Sequence, residues 1–178
     1  ALICLFNMSA QISTGNTNNS GTYSSAIGFQ TSAVGDYSTA MGYNTTSSAS
    51  YCTAMGYATT ASGSTSTAMG VNTTASGDGS TSLGNQTIAS ANNSSAMGAS
   101  TTASGEVSTA MGYATTANGS TSTSMGLSTM ANGEVSTAMG LGTTANGSIS
   151  VAMGRNTTAS DYGSLVIGQY NSSGSTIT

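Results

Sequence analysis

Ser38-Thr39-Ala40-Met41-Gly42-Tyr43-Asn44-Thr45-Thr46 is one copy of a unit that recurs with fixed spacing along almost the whole chain. Its anchor is the Met-Gly step. Glycine stands at Gly28, Gly42, Gly56, Gly70, Gly84, Gly98, Gly112, Gly126, Gly140, Gly154 and Gly168, eleven times at a period of fourteen without a slip. A second set stands seven residues out of phase, at Gly21, Gly35, Gly63, Gly77, Gly105, Gly119, Gly133 and Gly147, with Ala49, Ala91 and Asp161 in the remaining places. Each unit therefore has two halves. Self-similarity at a fixed short period marks a solenoid in which every repeat is one coil lying against its neighbours. The expected fold is all-β: a parallel β-roll or β-solenoid of about eleven 14-residue coils with two short strands per coil.

Composition excludes several functional classes. Only 3% of the 178 residues are charged, His, Trp and Pro are absent, and Arg155 is the single cation in a chain of net charge -4. Nucleic-acid binding needs clustered Lys or Arg to neutralise phosphates, and attraction to an anionic membrane surface needs the same, so neither partner is expected. No run approaches the roughly 20 apolar residues of a membrane-spanning helix, so direct insertion is not expected either. A chain rich in Ser, Thr, Asn and Gly with so few charges also fits a disordered, low-complexity segment. Disorder gives no reason for Met-Gly to stay in phase through the chain, which favours the solenoid.

The repeats occupy residues 21-170. Residues 1-20 read as an N-terminal cap or lead-in strand and residues 171-178 as a polar C-terminal tail. The run Ala1 to Phe6 reads either as the remnant of a signal-peptide apolar region or, preferably, as a strand closing the open end of the roll. The chain does not open on Met, which reads as a processed or partial chain. Cys4 and Cys52 are not expected to pair, because Cys52 stands in a column otherwise held by Ser and reads as a small buried side chain.

Alternate strand residues point to opposite faces. In Ser38 to Gly42 one face holds Ser38, Ala40 and Gly42, and the other Thr39 and Met41. In Thr45 to Ala49 the first face holds Thr45, Ser47 and Ala49, and the second Thr46 and Ser48. The first set is small in every copy, so the coil is expected to be thin, with these residues inside and glycine supplying positive φ at both turns. The outer faces then differ. One carries the column Ile27, Met41, Met55, Met69, Leu83, Met97, Met111, Met125, Met139, Met153 and Ile167, flanked by Phe29, Tyr43, Tyr57, Val71, Tyr113, Leu127 and Leu141. The other carries Thr, Ser and Asn. Rungs at about 4.8 Å make the apolar column a stripe on the order of 50 Å long, far more than a monomer leaves bare, and it is expected to be an oligomer interface. The alternative, Met inside the coil, would turn Ala and Gly out to solvent.

The unit, in the copy Ser108-Thr109-Ala110-Met111-Gly112-Tyr113-Ala114-Thr115-Thr116-Ala117-Asn118-Gly119, closely resembles the head repeat of YadA-like trimeric autotransporter adhesins, over roughly residues 21 to 170. The resemblance implies a left-handed parallel β-roll that trimerises with the outward side chains of one strand at the three-fold axis, and a role in adhesion at a surface. This chain departs from the usual family pattern in having Thr39 and Thr109 where Val or Ile is common, and Met before the glycine.

Catalysis is poorly supported: with no His there is no ordinary acid-base residue, and no cofactor or metal is expected. Asp36, Asp78, Glu106 and Glu134 share one turn column but lie two or three coils apart, about 10 Å or more, too far to share one metal ion. Asn-x-Ser/Thr sequons make Asn44, Asn72, Asn85, Asn92, Asn93, Asn118, Asn146 and Asn156 glycosylation candidates, and sugar would supply the solubility that charge does not. The function expected is a non-enzymatic extracellular or cell-surface rod, structural or adhesive, assembling as a homo-oligomer (trimer or end-to-end fibril) and meeting a host surface, matrix or glycan receptor. Two alternatives are an ice-binding solenoid using Thr46, Thr60, Thr74, Thr102 and Thr116, and a glycan-binding fibre segment.

Overall fold

A computed structural model describes residues 15–173. The capping strand expected at Ala1 to Phe6, with Cys4 in it, lies outside the described residues. Within them the chain forms two parallel sheets of eleven strands each, with no helix. Long strands of five residues, such as Thr39–Tyr43 and Thr109–Tyr113, alternate with short strands of two, such as Thr46–Ser47 and Thr116–Ala117. Every strand pairs with its equivalents fourteen residues away, so that Met97 stands beside Met111 and Gly98 beside Gly112. The long strand starts one residue later than the alternation predicts, and the second strand is shorter. The short sheet begins at Asn18–Asn19, paired with Ser32–Ala33, and Ser172 bridges Thr158, so regular pairing extends slightly past residues 21 to 170 at both ends.

Four columns fill the interior of each coil: those of Ser38, Ala40, Thr45 and Ser47, all buried. The last is Ala in most copies, and two alanine methyls per coil are a meagre core at about 0.8 kcal/mol per buried methylene-sized group. Cohesion therefore rests heavily on the backbone ladders that join coil to coil, at about 1 kcal/mol net per bond. Cys52 takes the serine position as a buried free thiol, and its Sγ donates to the Ala49 carbonyl at 2.8 Å as Ser94 Oγ does to that of Ala91 at 2.7 Å. It replaces Ser in geometry as well as in sequence.

Glycine serves two different needs, and this corrects the expectation of positive φ at both turns. Gly98 lies inside the strand Ser95–Ala99 with φ 122°, and a methyl there would overlap the carbonyl oxygen of Gly112 in the next coil. The same holds along the column from Gly28 to Gly154, which therefore admits close stacking within the strand and does not itself form the turn. Gly105 has no unusual φ; its missing side chain makes room for the backbone of Gly119. Its N–H shares the Ala117 carbonyl with the N–H of Ser104, at 3.1 and 2.9 Å.

The turning is done by residues that are mostly not glycine. Each coil has two residues in the left-handed region, one in the column of Asn44 (φ 53°) and one in that of Tyr37 (φ 58°), and nineteen of them carry side chains. The hydrogen bonds explain why. An ordinary strand amide donates forward to the next coil, as Thr102 N does to Thr115 O at 2.9 Å, whereas Ser100 N donates backward to Asn85 O and Val107 N to Asn92 O, both at 2.9 Å. A positive φ reverses the peptide so that both adjoining coils are bonded, and the ladder holds the residue there despite a strain of roughly 1–2 kcal/mol.

The Thr45 column is fully threonine from Thr31 to Thr157, and most of its hydroxyls have no partner. Two do. Ser82 and Ser124 replace Ala in the facing column, and their Oγ atoms bond Thr87 Oγ1 at 2.7 Å and Thr129 Oγ1 at 2.8 Å. Thr101, opposite Ala96, is an orphan, and an unsatisfied buried hydroxyl costs about 1–3 kcal/mol. Val has the same branched shape. Thr101→Val is therefore expected to raise the unfolding free energy by about 1 kcal/mol, read as a later midpoint in a denaturant melt.

Candidate functional site

The outer face of the long sheet has four columns, headed by Tyr23, Ser25, Ile27 and Phe29 in its first coil. Within the central pair, threonine alternates with the Met column, and buried Ala40 separates Thr39 from Met41 as the strand pleat requires. The methionines are half-buried by their own neighbours above and below, and Met69 and Met111 reach 38% exposure. Ile27, Met41, Met55, Leu83, Met97, Met125, Met139 and Met153 are a little more covered, while Ile167 is open at 57%. The structure thus brings all eleven residues of the expected interface to one straight line on one face.

Two flanking columns add to the apolar surface. Phe29, Tyr43 and Tyr57 stack with ring centroids 5.5 and 5.2 Å apart, and Tyr23, Tyr37 and Tyr51 at 5.3 and 5.0 Å. These ladders come directly from the coil spacing: aromatic rings at one position of successive coils meet face to face at nearly their stacking distance. Farther along, Val107, Val135 and Ile149 hold the Tyr37 column, and Tyr113, Leu127 and Leu141 the Tyr43 column, all exposed. Asn85 and Ala99 interrupt the second column, and Arg155 near its end lies 5.8 Å over the ring of Tyr170.

The opposite face is different in kind. Thr46, Thr60, Thr74, Thr102, Thr116, Thr144 and Thr158 stand in one column, with Ile88 and Met130 in the same file. Beside it runs an amide ladder that periodicity alone does not announce. Ser104 Oγ donates to Asn118 Oδ1 at 2.7 Å, Asn118 Nδ2 to Asn132 Oδ1 at 2.8 Å, and Asn132 Nδ2 to Asn146 Oδ1 at 2.8 Å.

The sequons accordingly fall into different environments. Asn44, Asn72 and Asn156 are exposed at the left-handed turn after the long strand, at φ 53°, 52° and 50°, and Asn93 is at the opposite turn with φ 56°. Asn118 and Asn146 belong to the amide ladder. Asn92 Oδ1 accepts the Asp78 N–H at 3.1 Å, and Asn85 lies on the long-sheet face beside Leu83. The turn acids have a local use as well: Asp36 accepts Thr22 N–H at 2.8 Å and Asp78 accepts Ser64 N–H at 2.9 Å, each reaching back one coil. Among the described residues no group of His, Cys, Asp or Glu could hold a metal ion, and no helix is long and apolar enough to cross a membrane.

The left-handed columns are the feature that sequence reasoning missed. Gly79, Gly163 and Asn93 in one and Gly142, Asn44, Asn72 and Asn156 in the other were the available signal, but they are outnumbered by Tyr, Val, Thr, Ala, Ser and other residues with no such preference.

A family model described as YadA head domain repeat (2 copies) matches residues 20–45, 53–73, 61–87, 75–101, 89–115, 103–129, 131–156 and 145–171. No curated protein matches the chain in sequence.

Val135 has φ 56° and is 47% exposed, a position that a β-branched residue occupies only under strain. Asn tolerates that region and keeps the backbone bond to Ser120 O. Val135→Asn is expected to stabilise the isolated chain by about 1 kcal/mol, measured by denaturant unfolding of the unassembled protein.

Proposed function

The chain belongs to the YadA head domain repeat family, and from that premise we propose that it is a rod that self-associates through its long-sheet face and presents its remaining surfaces to a host surface, matrix or glycan receptor. The family is of the surface-exposed, trimeric autotransporter adhesin kind, structural rather than catalytic. The finer reading for this chain rests on one observation: the unbroken apolar line from Ile27 to Ile167, with exposed aromatic and aliphatic columns on either side. The Thr39-to-Tyr43 width of about 13 Å and a length of about 50 Å give a face on the order of 650 Å², near the ~800 Å² that each partner contributes to a standard interface. A trimer closes such a face against itself and leaves the hydroxylated short sheet outside.

Ice binding has less support than adhesion. Ile88 and Met130, both exposed, break the threonine file that it requires.

Sugar on the sequons of the open turn column fits the same arrangement, since Asn44, Asn72 and Asn156 are exposed at one edge and clear of the Met line. Intact-mass and peptide mapping of native material is expected to find Asn72 glycosylated, and a bare Asn72 removes this part of the reading.

The interface itself is tested at its centre. Replacing Met97, Met111 and Met125 together by Ser leaves Ala96, Ala110, Ser124 and the backbone ladders in place. The variant is expected to sediment as a folded monomer with unchanged β-sheet circular dichroism; a variant that stays fully oligomeric overturns the Met face as the interface.

A further inference from the structure

The two edges of the long-sheet face carry their aromatic ladders on the same three coils. Phe29, Tyr43 and Tyr57 end the strands Ser25–Phe29, Thr39–Tyr43 and Thr53–Tyr57, and Tyr23, Tyr37 and Tyr51 stand two residues before those strands begin. These six positions hold five of the chain's eight tyrosines and one of its two phenylalanines. Within each ladder the ring faces are spent on one another, at centroid distances between 5.0 and 5.5 Å. The six residues nevertheless stay 44 to 69% exposed, and none of the five tyrosine hydroxyls is hydrogen-bonded among the described residues. Stacking thus leaves ring edges and hydroxyls along both margins without a partner.

The parallel sheet decides what those margins can meet. Because every strand runs the same way, one edge of the face is the strand start in every coil and the other is the strand end. Copies arranged about an axis along the rod must set the start edge of one against the end edge of the next. At equal height that contact brings all three aromatic levels of one ladder to the three of the other, and a displacement of one coil either way still leaves two levels facing. Copies laid antiparallel bring like edges together end for end. With the rods fully overlapped Phe29 then meets Gln169 and Tyr23 meets Gly163, and no ring of either ladder meets a ring.

We infer that Tyr23, Tyr37 and Tyr51 of one copy pack against Phe29, Tyr43 and Tyr57 of the next, forming an aromatic clasp at one end of a parallel assembly. The inference rests on the proposed Met-face interface, whose margins these ladders are. Edges of aromatic rings pack well against one another, and the tyrosine hydroxyls can both donate and accept across the seam. Beyond the third coil the margins weaken, to Thr65, Gly79 and Asn93 on the start edge and Val71, Asn85 and Ala99 on the end edge. The Met column repeats evenly along the rod, whereas buried aromatic residues dominate the energetics of most interfaces, so the assembly is held hardest over its first three coils.

The contact is read by cysteine pairing in a Cys4→Ser, Cys52→Ser background. Tyr37→Cys is combined in turn with Phe29→Cys, Tyr43→Cys and Tyr57→Cys. Each of these lies across the face from position 37, about 20 Å away within one chain, so a disulfide between the two must join separate copies. After brief oxidation, denaturing gels are expected to show covalent oligomers for at least one combination and none for Tyr37→Cys alone. Strength is read separately by sedimentation. Tyr37→Ser with Tyr51→Ser is expected to raise the concentration at which the assembly dissociates at least about tenfold, with unchanged β-sheet circular dichroism, and Leu127→Ser with Leu141→Ser to raise it less. An assembled parent in which none of the three combinations links, or whose tyrosine variant dissociates no more readily than the leucine variant, overturns the clasp and leaves the Met face standing. A parent protein that does not assemble overturns the Met face and the clasp with it.

Discussion

Every residue in the regular part of this chain lies between two copies of its own position, about 4.8 Å above and below. That constraint explains the interior. A large side chain repeated in this way has nowhere to go within a thin coil, so the buried columns are Ala, Ser and Thr and the backbones come into contact at the two glycine columns. It also explains what is gained where like groups attract. Asn118, Asn132 and Asn146 bond in series, and Tyr23, Tyr37 and Tyr51, like Phe29, Tyr43 and Tyr57, stack ring on ring, because the coil spacing matches both amide bonding and aromatic packing.

The same stacking makes the backbone strongly cooperative across coils. From Tyr37 onward, the residues with side chains that accept positive φ are each held by a bond to the coil before, while their neighbours bond to the coil after. An isolated turn would need Gly or Asn at such a place. Here Val107, Val135 and Ile149 are tolerated, and their side chains extend the apolar margin of the long-sheet face instead of relieving the strain.

A coil too thin to contain Met, Tyr and Leu places them outside, and they collect on the long sheet because its five-residue strands offer more outward positions than the two-residue strands opposite. The short sheet is left hydroxylated and hydrogen-bonded along itself. The division between a sticky face and a wet face is thus a consequence of coil thickness and strand length. The proposed self-association is the outlet for surface that the monomer has no room to bury.

Much of this was legible in the one-dimensional pattern. The fourteen-residue spacing of Gly28 through Gly168 determined the coil, its parallel register and the number of rungs, because strict periodicity in sequence translates directly into stacking in space. The alternation in Ser38 to Met41 determined which side chains lie inside, because the pleat has a period of two. The tertiary structure decided what periodicity is blind to. It placed Gly98 within a strand and the turn at Ser100 two residues later, because the direction of an inter-coil hydrogen bond depends on φ and not on residue type. It separated the sequons into open turn, amide ladder and apolar face, because a motif records neighbours along the chain while its surroundings come from coils fourteen residues away.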